Sequence, residues 1–301
     1  MVICLTGSSG FLGKQIKTYL KEKFFIEILG RHNDCDYKYD LCDVFPSFQK
    51  RFDIVIHIAG KAHSVPKTKE EGKEFFKVNY DGTLNLLNAL DDMPPANFVF
   101  VSSVAVYGLV KGENISEEYL LEATDPYGKS KIEAELLVKK WCNKNNVICT
   151  ILRLPLVVDS NPPGNLGSMI KGIKKGYYFN IAGGNAKKSM VLASDVAKFI
   201  LSAAEIGGTY NLTDGYNPTF NELSKHIASQ IGKSIVPNIP YFFAKLLAKI
   251  GDFLGSSFPI NSNKLAKITS PLTFDDTKAR EVFGWNPTHV LEGFKLKLKD
   301  E

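Results

Sequence analysis

The stretch VICLTGSSGFLG, residues 2–13, decides how this chain is read. An apolar run from Val2 to Leu5 stops at Thr6 and gives way to three glycines spaced three apart, Gly7, Gly10 and Gly13. A buried strand, a glycine turn and a helix beginning near Phe11 bring several backbone N–H groups and a helix N-terminus to one point. That arrangement is a ready site for an anion such as a pyrophosphate. Gly7 permits the tight turn, Gly10 lets phosphates approach the backbone, and Gly13 lets the helix pack on the strand. Taken alone, the pattern also fits a tight strand-to-helix turn without a ligand, so the rest of the chain decides.

Outward from this stretch, further apolar runs place strands at 25–29, 53–58, 97–102 and 147–153, after the first at 2–6. Nearly continuous apolar runs suit a parallel sheet covered on both faces. Helical patterns at 11–22, 70–91 and 126–144 lie between them, and the β-α-β order predicts an α/β, doubly wound sheet. After Pro155 the texture shifts to Gly- and Pro-containing loops at 159–167 and 182–185 and a proline-rich patch at 237–240. A helix over 191–202 reads as rejoining the sheet domain. The expected organisation is therefore 1–157 with 190–208 as a dinucleotide-binding domain, and 158–189 with 209–301 as a smaller substrate lobe. The ligand would lie between them, at the carboxyl ends of the strands.

With 301 residues, 44% apolar and 23% charged, a sizeable core is available. The net charge of +5 is spread along the chain apart from one cluster, KLKLK at 295–299. It is compatible with an anionic ligand and is read first as a solvated surface; nucleic acid is not expected as a partner. With Val2 already in the first strand no leader is expected, and no apolar run reaches about 18 residues. A cytoplasmic protein without an integral membrane segment is expected. Cys4, Cys35, Cys42, Cys142 and Cys149 show neither C-x-x-C nor a nearby His at zinc spacing, so free thiols and no metal are expected. YFFAKLLAKIGDFL at 241–254 is amphipathic enough for a membrane-surface helix, although a lobe-core helix is the first reading.

Two further motifs supply the context. YGKSK at 127–131 puts Tyr127 and Lys131 one helical turn apart on the same face. SSVAVYG at 102–108 closes a buried strand and brings hydroxyls to its carboxyl end. Here the chain resembles the extended short-chain dehydrogenase/reductase family, and within it the NAD-dependent nucleotide-sugar epimerase/dehydratase group. The resemblance runs from the Thr-Gly-x-x-Gly-x-x-Gly loop to DDTKAREVFGWNP at 275–287, which looks like the family's C-terminal signature. It implies a Rossmann-type fold with a smaller C-terminal substrate lobe, NAD or NADP as cofactor, and a nucleotide-sugar substrate, with a homodimer left open.

Carried over by position, the resemblance makes Ser103 the catalytic hydroxyl, Tyr127 the acid/base and Lys131 its partner. Gly7, Gly10, Phe11, Leu12 and Gly13 become the dinucleotide loop, and Asp40 with Leu41 the adenine contact. Ile58, Ala59, Gly60 and Lys61 become the loop under the cofactor, Asn79 a support for the active-site backbone, and Leu154, Pro155 and Leu156 the nicotinamide wall. Asn165 and Lys188 fall where the family holds the nucleotide diphosphate, and a cation suits two phosphates. His63, just past the Ala-Gly-Lys loop, could reach the substrate, whereas His57 reads as a packed core residue.

The chemistry agrees with these roles. A free phenol has a pKa near 10, so a tyrosine acting as base near pH 7 needs a shift of about three units, or roughly 4 kcal/mol. A neighbouring ammonium and a nicotinamide cation would favour the phenolate. Sugar 4,6-dehydratases of this family carry Asp-Glu directly after the catalytic hydroxyl; Val104 and Ala105 stand there, so dehydration is not expected. At the end of the second strand Leu29-Gly30-Arg31-His32 offers no acid for ribose hydroxyls. Arg31 suits a 2′-phosphate and a reductase, unless Asp34 or Asp36 folds back. The leading expectation is C4 epimerisation of a UDP-hexose or UDP-N-acetylhexosamine, with a 4-ketoreductase behind it and a non-catalytic dinucleotide sensor more distant.

Overall fold

A computed structural model describes residues 1–62, 66, 68–254, 258 and 260–297. Its first part runs β1 (Val2–Thr6), α1 (Phe11–Lys21), β2 (Phe25–Gly30), β3 (Tyr37–Lys38), β4 (Ile54–His57), α2 (Lys69–Phe76), a π turn at Lys77–Asp81, α3 (Gly82–Ala89) and β5 (Asn97–Ser103). It continues through β6 (Gly112–Ile115), α4 (Pro126–Lys144), β7 (Ile148–Leu154) and β8 (Leu156–Val158). Then come α5 (Gly164–Lys175), β9 (Asn180–Ile181), β10 (Met190–Leu192), α6 (Ala193–Ile206) and β11 (Gly208–Asn211). The remainder is α7 (Phe220–Gln230), β12 (Asn238–Ile239), α8 (Tyr241–Leu254), α9 (Ser262–Thr269), β13 (Leu272–Phe274), α10 (Thr277–Phe283) and α11 (Val290–Gly293).

Seven of these strands form one parallel sheet in the order β11-β7-β5-β4-β1-β2-β3. Side chains alternate between its faces with period two, and both faces are covered, which is why the strands read as unbroken apolar runs. Ile3, Leu5, Ile54, Ile56, Val99 and Val101 pack on one side against Ile16 of α1 and Val196 and Ile200 of α6. Cys4, Val55, Phe98 and Phe100 pack on the other against Leu86 of α3 and Ala134 and Val138 of α4. The strand order reverses between β1 and β4, where a crevice opens at the carboxyl ends.

The fold differs from the sequence reading in particular places. The expected helix over 191–202 is a short strand, Met190–Leu192, paired with β8, followed by α6. The expected helix over 70–91 is broken by the π turn, which carries Asn79. Beyond α6 the chain returns to the sheet as β11 beside β7, so Thr209–Asn211 are sheet residues, and Ala279 and Trp285 pack in the core on its first face. Around α5, α7 and α11 lies a separate apolar cluster of Leu166, Ile173, Leu223, Ile227 and Phe294. All five cysteines are free thiols, and among the described residues no helix is long and apolar enough to cross a membrane.

Candidate active site

The glycine turn is built as the spacing predicts. Gly7 has φ +73°, in the left-handed region, and a Cβ on it would lie 2.6 Å from the Ala59 nitrogen in the loop after β4. A Cβ on Gly13 would lie 2.0 Å from the Gly7 carbonyl oxygen, so α1 can sit on its own turn only with glycine there. Gly10 caps α1, and its N–H donates to the Gly7 oxygen at 3.0 Å. Leu12 is buried and Phe11 is half-buried. The first helical turn therefore points into the crevice between β1 and β4.

Beneath it lies a connected polar scaffold. His57, fully buried at the end of β4, lies 2.7 Å from the Thr6 hydroxyl through Nδ1 and 2.9 Å from the Thr83 hydroxyl through Nε2. Thr83 donates to the Asn79 carbonyl at 2.6 Å, and Ala59 N–H donates to the Thr6 oxygen at 3.2 Å. This network assigns the hydrogen to Nε2, with Nδ1 accepting from Thr6. Burial drives the His57 pKa down to about 3. His57 is thus a neutral strut of the core, as its sequence position suggests. Asn79 donates to the Lys61 carbonyl at 3.1 Å and to Ser130 Oγ at 2.9 Å, and accepts from Lys61 N–H at 2.7 Å. The π turn aims this one amide at the Lys61 backbone and at the Ser130 hydroxyl of α4; π bulges recur at functional sites. The Lys61 ammonium pairs with Glu74.

Ser103 ends β5 and caps the following 3₁₀ turn, accepting from Ala105 N–H at 3.2 Å. Tyr127 is the second residue of α4, whose start is fixed by Pro126 and by the Asp125 carboxylate accepting from Gly128 N–H at 3.1 Å. Burial pushes the Tyr127 phenol above its ordinary range, while a hydrogen bond from Ser103 pulls it back. Lys131 lies one turn on along α4. It donates to the Val101 carbonyl at 2.9 Å, sits 4.6 Å from the Phe100 ring centre, and lies 3.4 Å from where a Gly60 Cβ would stand. Burial lowers its pKa to about 8, offset in part by the Glu135 carboxylate. The structure thus brings Ser103, Tyr127, Lys131, Gly60 and Asn79 together at the carboxyl edge of the sheet.

At the other end of the crevice, Arg31 is exposed and lies 3.6 Å from the Asp40 carboxylate. Asp40 also accepts from Cys42 N–H at 2.9 Å, and that bond leads the causes lowering its pKa. Leu41 turns its carbonyl to Asn85. Of the two alternative acids, Asp34 pairs with Lys17 at 3.5 Å, whereas Asp36 folds back onto β2 and accepts from Ile28 N–H at 2.8 Å. Leu154 is buried at the end of β7, and Pro155 and Leu156 follow, half-buried. Asn165 is exposed in the first turn of α5. Lys188 is half-buried, and burial first and Lys267 second lower its pKa to about 8. His63 and the last two residues of the KLKLK cluster lie outside the described residues. Among the described residues no cluster of His, Cys, Asp or Glu could hold a metal ion.

Two features escaped the sequence reading. Arg153, in the otherwise apolar β7, forms a fully buried bidentate pair with Glu135 of α4 at 2.7 and 3.1 Å, and donates to the Tyr107 hydroxyl at 3.0 Å. Ser102 donates to the same carboxylate at 2.6 Å. An arginine in an apolar strand was the available signal, but its partner lies on another element. The second is Gly128, where a Cβ would stand 2.4 Å from Ala123 Cβ and 2.8 Å from the Ala105 carbonyl. Its lack of a side chain lets Tyr127 approach Ser103.

A nicotinamide dinucleotide fits what the residues offer: a glycine cradle that any Cβ would fill, a crevice at the strand reversal, and Gly60 packed against Asn79 and Lys131. Comparison with known proteins agrees. The model of the "NAD dependent epimerase/dehydratase family" matches residues 3–213. Along 99% of its length the chain is 28% identical to the N-acetyl-alpha-D-glucosaminyl-diphospho-ditrans,octacis-undecaprenol 4-epimerase of Escherichia coli O157:H7, covering 95% of that protein. Over 74% of its length it is 29% identical to the GDP-6-deoxy-D-mannose reductase of Pseudomonas aeruginosa, covering 78% of it. The solved UDP-glucose 4-epimerase of Thermotoga maritima with UDP-glucose superposes with a TM-score of 0.77 at 23% identity, over 98% of this chain and 97% of that one.

Proposed function

The chain belongs to the NAD dependent epimerase/dehydratase family, and from that premise we propose that it is an NAD(P)-dependent nucleotide-sugar enzyme that inverts C4 of a UDP-hexose or UDP-N-acetylhexosamine through a 4-keto sugar. The observation that carries the reading is the meeting of Ser103, Tyr127 and Lys131 beside the Gly60 loop. The E. coli relative is named for a sugar diphosphate on undecaprenol and the T. maritima structure holds UDP-glucose. Both are sugars joined to a diphosphate, and in this reading Lys188 and Asn165 hold that group.

The Tyr127 phenolate takes the proton of the C4 hydroxyl and returns it on the inverted centre. The Ser103 hydroxyl donates to the same sugar oxygen and so fixes it in line with Tyr127. Lys131, with a pKa of about 8, is cationic at pH 7 and supplies the positive charge that a buried phenolate needs. Its cation is stabilised from behind by Glu135, which Arg153 and Ser102 hold in place. The dinucleotide, when bound, supplies a hydride acceptor that becomes the donor for the return step. Gly7, Gly10 and Gly13 would hold its pyrophosphate, and Asn79 would keep the Gly60–Lys61 backbone against it.

A second reading, an NADPH-dependent 4-ketoreductase, is favoured by Arg31, which stands at the end of β2 where a 2′-phosphate would be met and is exposed beside Asp40. Denaturing the purified protein and identifying the released dinucleotide separates the two. Stoichiometric NAD supports the epimerase; an empty protein that oxidises added NADPH only with a 4-keto sugar supports the reductase. In either case Tyr127→Phe keeps cofactor affinity and loses turnover. Turnover that survives the change removes the catalytic assignment.

A further inference from the structure

The helix α8 is packed inside out. Its inward side is made of small residues, Ala244, Ala248 and Gly251, which meet Leu265 of α9, Ile181 and Ile260. Its large apolar residues point away from the protein: Phe242 (73% exposed), Phe243, Leu246, Leu247, Ile250, Phe253 (92%) and Leu254. At 100° per residue these seven fill one continuous arc of roughly 140° along the helix. They present apolar surface on the order of 700 Å², above the ~300–600 Å² of the largest patch on an ordinary monomer.

Polarity on the helix is confined to one border of that arc. Lys245 and Lys249, both exposed, project beside Phe242 and Phe253. Asp252 is turned to α9, where it accepts from Ser262 N–H at 2.9 Å and from the Ser262 hydroxyl at 2.5 Å. No carboxylate therefore stands on the exposed arc. The sequence reading of this segment as a lobe-core helix holds only for the three small residues. A core helix buries its large side chains, and this one exposes them.

From this face we infer that α8 docks on an anionic lipid bilayer. Three phenylalanines and four aliphatic side chains enter the interface between headgroup and acyl chain, and Lys245 and Lys249 meet the phosphates beside them. Charge decides against a second copy of this chain as the occupant, because isologous pairing would present the same cationic border twice with no acidic residue on either arc to answer it. The next helix carries Lys267, whose charge reaches Lys188. The docked face and the cation assigned to the substrate diphosphate thus belong to one structural unit. The inference needs no particular sugar chemistry and is read without turnover.

The test is flotation of the whole chain with phosphatidylcholine vesicles, with and without about one third phosphatidylglycerol, followed by light scattering of the protein alone. The expected result is flotation with the anionic vesicles, reduced about tenfold or more in Phe242→Ser/Phe253→Ser. Lys245→Glu/Lys249→Glu is expected to abolish the preference for anionic lipid. Both double variants change only exposed residues, so their thermal midpoints and their turnover of a water-soluble UDP-sugar match the parent's. The inference is overturned if the parent chain stays in the soluble fraction, or if the serine variant floats equally well. It is likewise overturned if the parent is a dimer that the serine changes split while neither form binds vesicles, which would assign the face to a second copy. Loss of sugar turnover in every form would remove the epimerase reading and leave this result standing.

Discussion

His57 ties three parts of the site together, and acid should release them. The buried ring is neutral, accepts from Thr6 beneath the glycine turn and donates to Thr83 beneath the π turn. Its folded pKa of about 3 lies far below the unfolded value of about 6.5, so the unfolded chain binds the proton in between. For a group whose pKa is lowered on folding by excluding its charged form, stability is full above about pH 6.5 and falls as pH drops toward 3. The slope is about 1.4 kcal/mol per pH unit, which amounts to roughly 2 kcal/mol lost between pH 8 and pH 5. His57→Gln removes the titration and keeps a polar end near Thr83. At pH 8 it should cost about 1 kcal/mol for the lost hydrogen bond to Thr6. At pH 5 the parent's advantage should have vanished or reversed. Urea unfolding of both proteins across this range, with equal m-values, measures the gap directly. Because the two proteins share every other titrating group, including the half-buried Glu117 and the buried Asp214 with raised pKa, only His57 contributes to the difference. A gap constant within about 0.5 kcal/mol from pH 8 to pH 5 would refute the reasoning. Cofactor affinity of the folded parent should not change through His57 over the same range, since at pH 5 the folded ring is still neutral and Nδ1 still accepts from Thr6.

Removing Glu135 leaves the Arg153 guanidinium buried without its carboxylate, so Glu135→Ala should cost about 3–5 kcal/mol in urea unfolding, and the double change Glu135→Leu/Arg153→Met should recover much of it. If the single and double changes are equally unstable, the pair carries no special weight. Gly128→Ala should lower kcat about tenfold or more while leaving dinucleotide affinity within a factor of about two, because the new methyl group displaces Tyr127 from Ser103 and leaves the glycine turn alone; equal kcat in steady-state assays contradicts this. No 4-keto-6-deoxy product should form from UDP- or dTDP-hexoses, since neither Val104 nor Ala105 can move a proton, and its appearance by mass spectrometry would overturn the exclusion.

Local patterns were enough for the parallel sheet, the glycine turn and the helix that carries Tyr127 and Lys131 one turn apart. Each depends on near neighbours in the chain: an apolar run ending at Thr6, glycines three apart, a Tyr and a Lys one helical turn apart. Steric exclusion at Gly13 is of this kind, because its Cβ would meet an atom only six residues away. The role of Gly128 went unread in the sequence, because the Ala105 carbonyl it makes room for arrives from the preceding strand–turn unit.

What the tertiary structure alone decided are the contacts between elements distant in the chain. Arg153 could be seen as a misfit in β7, but the Glu135 that neutralises it comes from α4, and burial gives the pair its strength. The Lys131 ammonium turns to the Val101 carbonyl because β5 runs directly beneath α4, which a spacing rule cannot register. The strand at 190–192 exists because β8 is there to pair with it; three apolar residues before a helix read as more helix until a partner supplies the hydrogen bonds. The same holds for α8, whose amphipathic pattern fixes that one face is apolar and leaves open which way it points. Ala244, Ala248 and Gly251 let α9 and Ile260 approach closely, so the small side was buried and the large side was left outside. A sequence carries its periodicities locally, whereas the direction of each face is set by what the rest of the chain brings against it.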